Sequence, residues 1–261
     1  MLIRQPQGFP FGYTSITGIS SRHPEMGLDF GLLKLRPGER YSPPAGQERA
    51  FLLLDGEAEL QWAGSSKAVG RRSLFDEQPW CLHLPAGAAA TVTAGARGAE
   101  LAFLGATNPA AFAPRLYSPE ECRDEERGKG TMRETSTRIV RTIFDDTNAP
   151  YSNLVLGEVI NFPGKWSSYP PHHHPQPEIY HYRFLPASGF GLTAIGERAY
   201  ILRDGDTVLI HEGEVHPQAA APGYAMYYIW AIRHLEGNRY TSPTFVPEHR
   251  WVTDPRAKIW P

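Results

Sequence analysis

The chain has 261 residues, 41% hydrophobic and 21% charged, an ordinary composition for a soluble globular protein with room for two modest domains or one large one. Its 26 Lys and Arg against 28 Asp and Glu give a formal net charge of −2, so no basic stripe argues for nucleic acid and no strong field steers a charged partner. No apolar run approaches the roughly 20 residues that a membrane helix needs. The first residues lack a secretory pattern, and Cys81 and Cys122 make no disulfide framework. A cytoplasmic protein with reduced thiols is the expectation.

In chain order, the first half reads as strands at 31–35, 50–54, 58–62 and 101–105, with Asp55-Gly56 as a hairpin turn. A connection rich in proline and then in charge follows. It carries a short helix over 118–127, with Ser118 as cap and Pro119 at the first helical position. Strands resume at 139–144, 154–161, 179–184, 207–211 and 225–232, with Asp204-Gly205 as a second hairpin-type turn. The tail, ending in Phe245-Val246-Pro247 and Ile259-Trp260-Pro261, is expected to pack back on a domain or on a neighbouring subunit.

The halves resemble each other. Pro37-Gly38 then Pro43-Pro44 matches Pro163-Gly164 then Pro170-Pro171, and Gly87 matches Gly213. The alignment sets Ala45 opposite His172, Gln47 opposite His174 and Ala90 opposite His216. The first half therefore lacks the imidazoles and reads as a structural or dimerising copy. The expected domains are 1–115, a linker at 116–134, and 135–261.

The chemistry concentrates in Pro170-Pro171-His172-His173-His174-Pro175-Gln176-Pro177-Glu178, followed by His216. His172 and His174 are two residues apart and share a face in extended backbone, with His173 turned away. Imidazoles plus a carboxylate suit Zn, Mn, Fe, Co or Ni. Tyr180 and Tyr182 follow Glu178 at even spacing and belong on its inward face, whereas alternation allows only one of Tyr227 and Tyr228 inside.

These residues also carry a family resemblance. His172, His174, Glu178 and Gly205-x5-His211-x-Gly213-x2-His216 resemble the cupin pattern, with His211 where proline is usual. Trp166-Ser167-Ser168-Tyr169-Pro170-Pro171-His172, with Glu158-Val159, Glu178-Ile179-Tyr180, Pro222-Gly223-Tyr224 and Tyr227-Tyr228, resembles the 5-deoxy-glucuronate isomerase family over nearly the whole chain.

The resemblance implies an all-β fold of two tandem cupin barrels, jelly-roll-like double-stranded β-helices. It implies one divalent metal ion per chain, zinc first and Mn, Fe, Co or Ni otherwise, on His172, His174, Glu178 and His216. The implied reaction is a metal-assisted aldose–ketose isomerisation of 5-deoxy-glucuronate to 5-dehydro-2-deoxy-gluconate in bacterial myo-inositol catabolism. Glu158, Lys165 and Tyr180 are then candidates for proton transfer. Arg138, Arg141, Tyr182 and Tyr227 are candidates for substrate contacts, the arginines because their forks match a carboxylate. The partner implied is a small sugar acid, with no nucleic acid and no membrane, and a homo-oligomer is expected. Competing readings are the sister activity on a pectin-derived deoxy-hexulose-uronate, a non-haem Fe(II) dioxygenase, and a non-catalytic sugar-acid-binding cupin.

Overall fold

Every strand expected from the sequence is present in the computed structural model, which describes residues 1–122 and 124–260. The chain is all-β and antiparallel and forms two compact units, Gln7–Arg123 with Ile143–Val155, and Met1–Pro6 with Asp124–Thr142 and Leu156–Pro261. These bounds correct the expected ones at 115 and 135. Leu2–Ile3 pairs with Thr207–Ile210, and Asp124–Arg127 pairs with Arg138–Phe144, so both belong with the C-terminal unit. Ile143–Val155 belongs with the N-terminal unit, where the Phe144 ring stacks on His83 with centroids 4.4 Å apart. The expected helix is likewise shorter. Among the described residues of that span only Pro119–Glu121 is helical, a 3-10 turn in which Ser118 N donates to the Glu121 carboxylate at 2.9 Å. The four residues Asp124–Arg127 are all exposed and form a sheet-edge strand, where charged side chains suit the open edge.

In the N-terminal unit the sheet order is Gly12–Thr17, Asp29–Leu35, Ala90–Ala106, Glu48–Trp62, Cys81–Leu84 and Arg115–Tyr117. Its alternate positions pack Leu33, Phe51, Leu53, Leu60, Leu82 and Leu101 into the core. Asp55-Gly56 is not a hairpin. The residues on both sides keep pairing with Ala90–Ala106, and the register shifts around Gly56, so the dipeptide is an irregularity inside one 15-residue strand. Gly56 has φ 90°, and an added Cβ would lie 2.2 Å from the Gly98 carbonyl oxygen, so no side chain fits there.

The same unit buries a carboxylate. Glu48 accepts hydrogen bonds from Asn108 Nδ2 at 2.8 Å, Ser152 Oγ at 2.5 Å and Asn153 N at 2.8 Å, and its Oε1 lies 2.6 Å from His83 Nε2. Burial pushes the Glu48 carboxyl up, but His83 and the Ser152 and Asn153 donors outweigh it and hold the group below its ordinary value.

In the C-terminal unit the larger sheet runs Leu2–Ile3, Thr207–Ile210, Glu178–Leu185, Ala225–Arg233, Leu154–Asn161, Arg138–Phe144, Asp124–Arg127. A smaller one runs Trp166–Ser167, Gln218–Ala220, Phe190–Ile195, Arg198–Arg203. Between them Val140, Val159, Tyr180, Tyr182, Phe184, Leu202, Val208 and Tyr228 make one buried cluster. Asp204-Gly205 is a turn, but it carries the chain from the smaller sheet to the larger. Gly205 has φ 81°, and its N–H donates to the Tyr182 carbonyl at 2.9 Å. The first part of the tail packs on its own unit, since Thr244–Phe245 pairs with His172–His173, but its end does not: Trp260 is 91% exposed, and Pro261 lies outside the described residues. Among the described residues no helix is long and apolar enough to cross a membrane.

Because the folded Glu48 pKa lies below the ordinary one, its stabilisation is complete above the ordinary carboxylate pKa. It is lost as pH falls through the lowered value. Glu48→Gln is expected to cost about 1–3 kcal/mol at neutral pH and to flatten the loss of stability on acidification, read by urea melts from about pH 7 to about pH 3.

Candidate active site

Three short pieces of backbone deliver the candidate ligands. The two-residue strand His172–His173 is held by pairing with Thr244–Phe245. The bend through Pro175 and Pro177 then brings in Glu178, the first residue of its strand, opposite Ile210 and Ile232. The turn after Ile210 is fixed by Gly213 at φ 74°, whose N–H donates to the His174 carbonyl at 3.0 Å, and by the Glu214 carboxylate, which accepts from His211 N at 2.8 Å. That turn delivers His216. His174, Glu178 and His216 are 4%, 3% and 0% exposed, and their ligand atoms all lie within 4.8 Å of one another. His172 stands beside this trio, its ring edge-on to His216 with centroids 4.9 Å apart.

The donor set fits a cation. In each imidazole Nδ1 faces a backbone carbonyl: Pro170 O at 3.0 Å from His172, Gln176 O at 2.9 Å from His174, Glu214 O at 2.8 Å from His216. A carbonyl only accepts, so the hydrogen bonds assign the proton to Nδ1 and leave a lone pair on each Nε2. The Nε2 atoms of His174 and His216 then lie 3.1 Å and 3.3 Å from the same Glu178 oxygen, and His216 Nε2 is buried without a hydrogen-bond partner. Burial lowers His172 and His216 to about 4, so both are neutral at neutral pH. Lone pairs converging on a carboxylate repel unless a positive charge sits among them, and a divalent ion with N and O ligands supplies it.

The trio opens on a cavity of about 80 Å³. Of the residues expected there, His172, His174, Glu178, Tyr180 and Arg138 line it. Tyr182 is buried below, donating to Gln218 Oε1 at 2.5 Å. Four expectations are corrected. Glu158 and Tyr227 lie on the opposite face of the sheet, where Tyr227 Oη donates to Glu158 Oε1 at 2.6 Å, and Arg141 joins them with Nη1 3.6 Å from Glu158 Oε2. The alternation that sends Tyr180 and Tyr228 inward sends Tyr227 outward. Lys165 reaches away to the Glu134 carbonyl.

Arg127, Trp230, Tyr240 and Pro243, which the sequence did not single out, also line the cavity, as do Ser168 and Tyr228 of the motif strings. Trp230 was within reach of alternation from Tyr228. It is accommodated because Gly157 lacks a Cβ, which would lie 2.4 Å from the indole. Tyr240 sits in an irregular tail with no periodic signal, its ring centroid 4.9 Å from that of His174. Burial raises Tyr180 well above the ordinary phenol value, with the Glu178 charge acting the same way, so its hydroxyl stays protonated. That hydroxyl lies 3.0 Å from Ser168 Oγ, to which Gln218 Nε2 donates at 3.3 Å.

Purified protein is expected to carry about one divalent ion per chain by elemental analysis. His216→Ala or Glu178→Gln should remove it, whereas Glu158→Gln should leave the metal content unchanged. Retention of the ion in both ligand variants would rule this trio out.

The model of the KduI/IolB family matches residues 2–252. A 5-deoxy-glucuronate isomerase of Geobacillus thermodenitrificans is 28% identical over 235 residues, covering 80% of this chain and 79% of the relative. One of Halalkalibacterium halodurans is 23% identical over 97% of this chain and 99% of its own. An IolB-like protein from Salmonella typhimurium superposes with a TM-score of 0.85 at 27% identity, covering 96% of this chain and 98% of its own. A Bacillus subtilis oxalate decarboxylase, at TM-score 0.68 and 13% identity, shares the cupin fold over 94% of this chain and 79% of its own. On the family match across almost its whole length, the chain belongs to the KduI/IolB family and is an isomerase.

Proposed function

We propose that the chain converts 5-deoxy-glucuronate to 5-dehydro-2-deoxy-gluconate, an aldose–ketose isomerisation of myo-inositol catabolism, in the cavity beside His174, Glu178 and His216. The observation that carries the reading is the convergence of two imidazole lone pairs on the Glu178 carboxylate at the wall of a cavity that also presents a protonated phenol. It is supported by the relatives of that name.

His174, Glu178 and His216 would hold the ion, zinc as first choice, with His172 as a further donor from the adjoining strand. Bound there, the ion supplies Lewis acidity toward the open-chain carbonyl and its neighbouring hydroxyl. The protein supplies the rest. Ser168 and Gln218 hold the Tyr180 hydroxyl toward the cavity, where it donates to the substrate oxygen that gains negative charge. Phe245 and Tyr240 pack edge-on against His172 and His174 and shield that side from water. The isomerisation breaks the C2–H bond and forms a C1–H bond while a proton passes from the C2 hydroxyl to the C1 oxygen. Atoms and electrons balance without an oxidant or nicotinamide.

The test is proton NMR of metal-replete protein with 5-deoxy-glucuronate in D2O under argon. Ketose is expected, with deuterium at C1 if the proton passes through an exchangeable group. Tyr180→Phe is expected to lower kcat by about 100-fold with the metal retained. Absence of conversion would sink the substrate assignment, and turnover of the pectin-derived deoxy-hexulose-uronate in its place would move it within the family.

A further inference from the structure

The cavity wall carries two guanidiniums where strand pairing would normally avoid them. Arg127 and Arg138 are direct cross-strand partners, and both line the cavity. Like charges directly opposite each other destabilise a sheet. Arg138 is 6% exposed, yet its hydrogen bonds go only to neutral carbonyls, Nη1 to Ser136 O at 2.7 Å and Nη2 to Tyr169 O at 3.5 Å. Among the described residues no carboxylate comes within ion-pair distance of it. The nearby Glu125 is taken up in a fork by Arg127, at 3.1 Å from Nε and 2.8 Å from Nη2. Glu178, on the same wall, is committed to the imidazole trio. A buried guanidinium without a counter-charge is costly, and burial is the largest influence depressing its pKa. The wall is therefore one negative charge short on the side away from the trio.

We propose that Arg138, flanked by Arg127, is the receptor for the substrate's carboxylate and sets the preference for a uronate over a neutral sugar. A planar carboxylate accepts two parallel bonds from one guanidinium fork, which fixes direction as well as position. The acid end is thereby held at the sheet edge and the carbonyl end is left to face His174, Glu178 and His216. The choice of sugar acid rests on the isomerase reading above. The receptor rests on the two arginines alone.

The experiment is calorimetric titration of metal-loaded protein with D-glucuronate and with D-glucose, alongside turnover of 5-deoxy-glucuronate and metal analysis of every variant. The wild type is expected to prefer D-glucuronate, and Arg138→Met to lose that preference by on the order of 100-fold with its metal retained. Arg138→Lys should restore part of it, and Arg127→Gln should weaken it by a smaller factor. If Arg138→Met does not fold, the exposed Arg127→Gln carries the test, and an unchanged preference there overturns the proposal. D-glucuronate binding that survives Arg138→Met, as it would if the acid sat on the metal, also overturns it. Arginine-dependent binding without turnover would sink the isomerase reading and leave the receptor standing. Turnover with charge-blind binding would do the reverse.

Discussion

The C-terminal unit is organised around an electrostatic demand: two buried imidazoles turn lone pairs toward a carboxylate that has lone pairs of its own and no proton to donate. The protein creates this demand with its backbone. The Pro170, Gln176 and Glu214 carbonyls each occupy an Nδ1, so no histidine can turn its proton toward Glu178 to relieve the repulsion. Those carbonyls belong to proline-rich and glycine-pinned turns, which explains why such turns flank the ligands on both sides. The strands supply rigidity, and the turns orient the Nε2 atoms of His174 and His216 toward Glu178.

The N-terminal unit solves the opposite problem with the same residue types. His83 and Glu48 meet at 2.6 Å, close enough to share a hydrogen bond, and neutral amide, hydroxyl and backbone donors surround the carboxylate. There the histidine and the acid satisfy each other, and the site is closed to chemistry. One barrel architecture thus holds a His–Glu pair as structure in one copy and as a candidate ligand set in the other. The difference is that backbone carbonyls occupy Nδ1 of His174 and His216, whereas His83 Nδ1 has no hydrogen-bond partner and its Nε2 meets the acid.

Much of this was legible in the sequence, and the failures share a cause. Period-two alternation located the strands and placed Tyr180 and Tyr182 inward, because that signal depends only on neighbouring residues. It could not choose between Tyr227 and Tyr228, since register across a sheet is a property of two strands. The family string drew Glu158 toward the site, but residue type does not record which face of a sheet a side chain occupies. Arg127 was hidden because a run of charges reads as a solvated helix, and only the pairing of Asp124–Arg127 with Arg138–Phe144 reveals that one of them turns toward a cavity. Asp55-Gly56 misled for a similar reason: the dipeptide signals a glycine conformation, and a strand irregularity uses that conformation as readily as a hairpin.

The pairing of His172–His173 with Thr244–Phe245 also has a temporal meaning. A chain emerging from the ribosome displays its histidine run long before the segment that braces it, and before Tyr240 can cover His174. During that interval the imidazoles stand uncovered on an unfinished barrel. The order of synthesis makes docking of the C-terminal segment the step that closes the pocket.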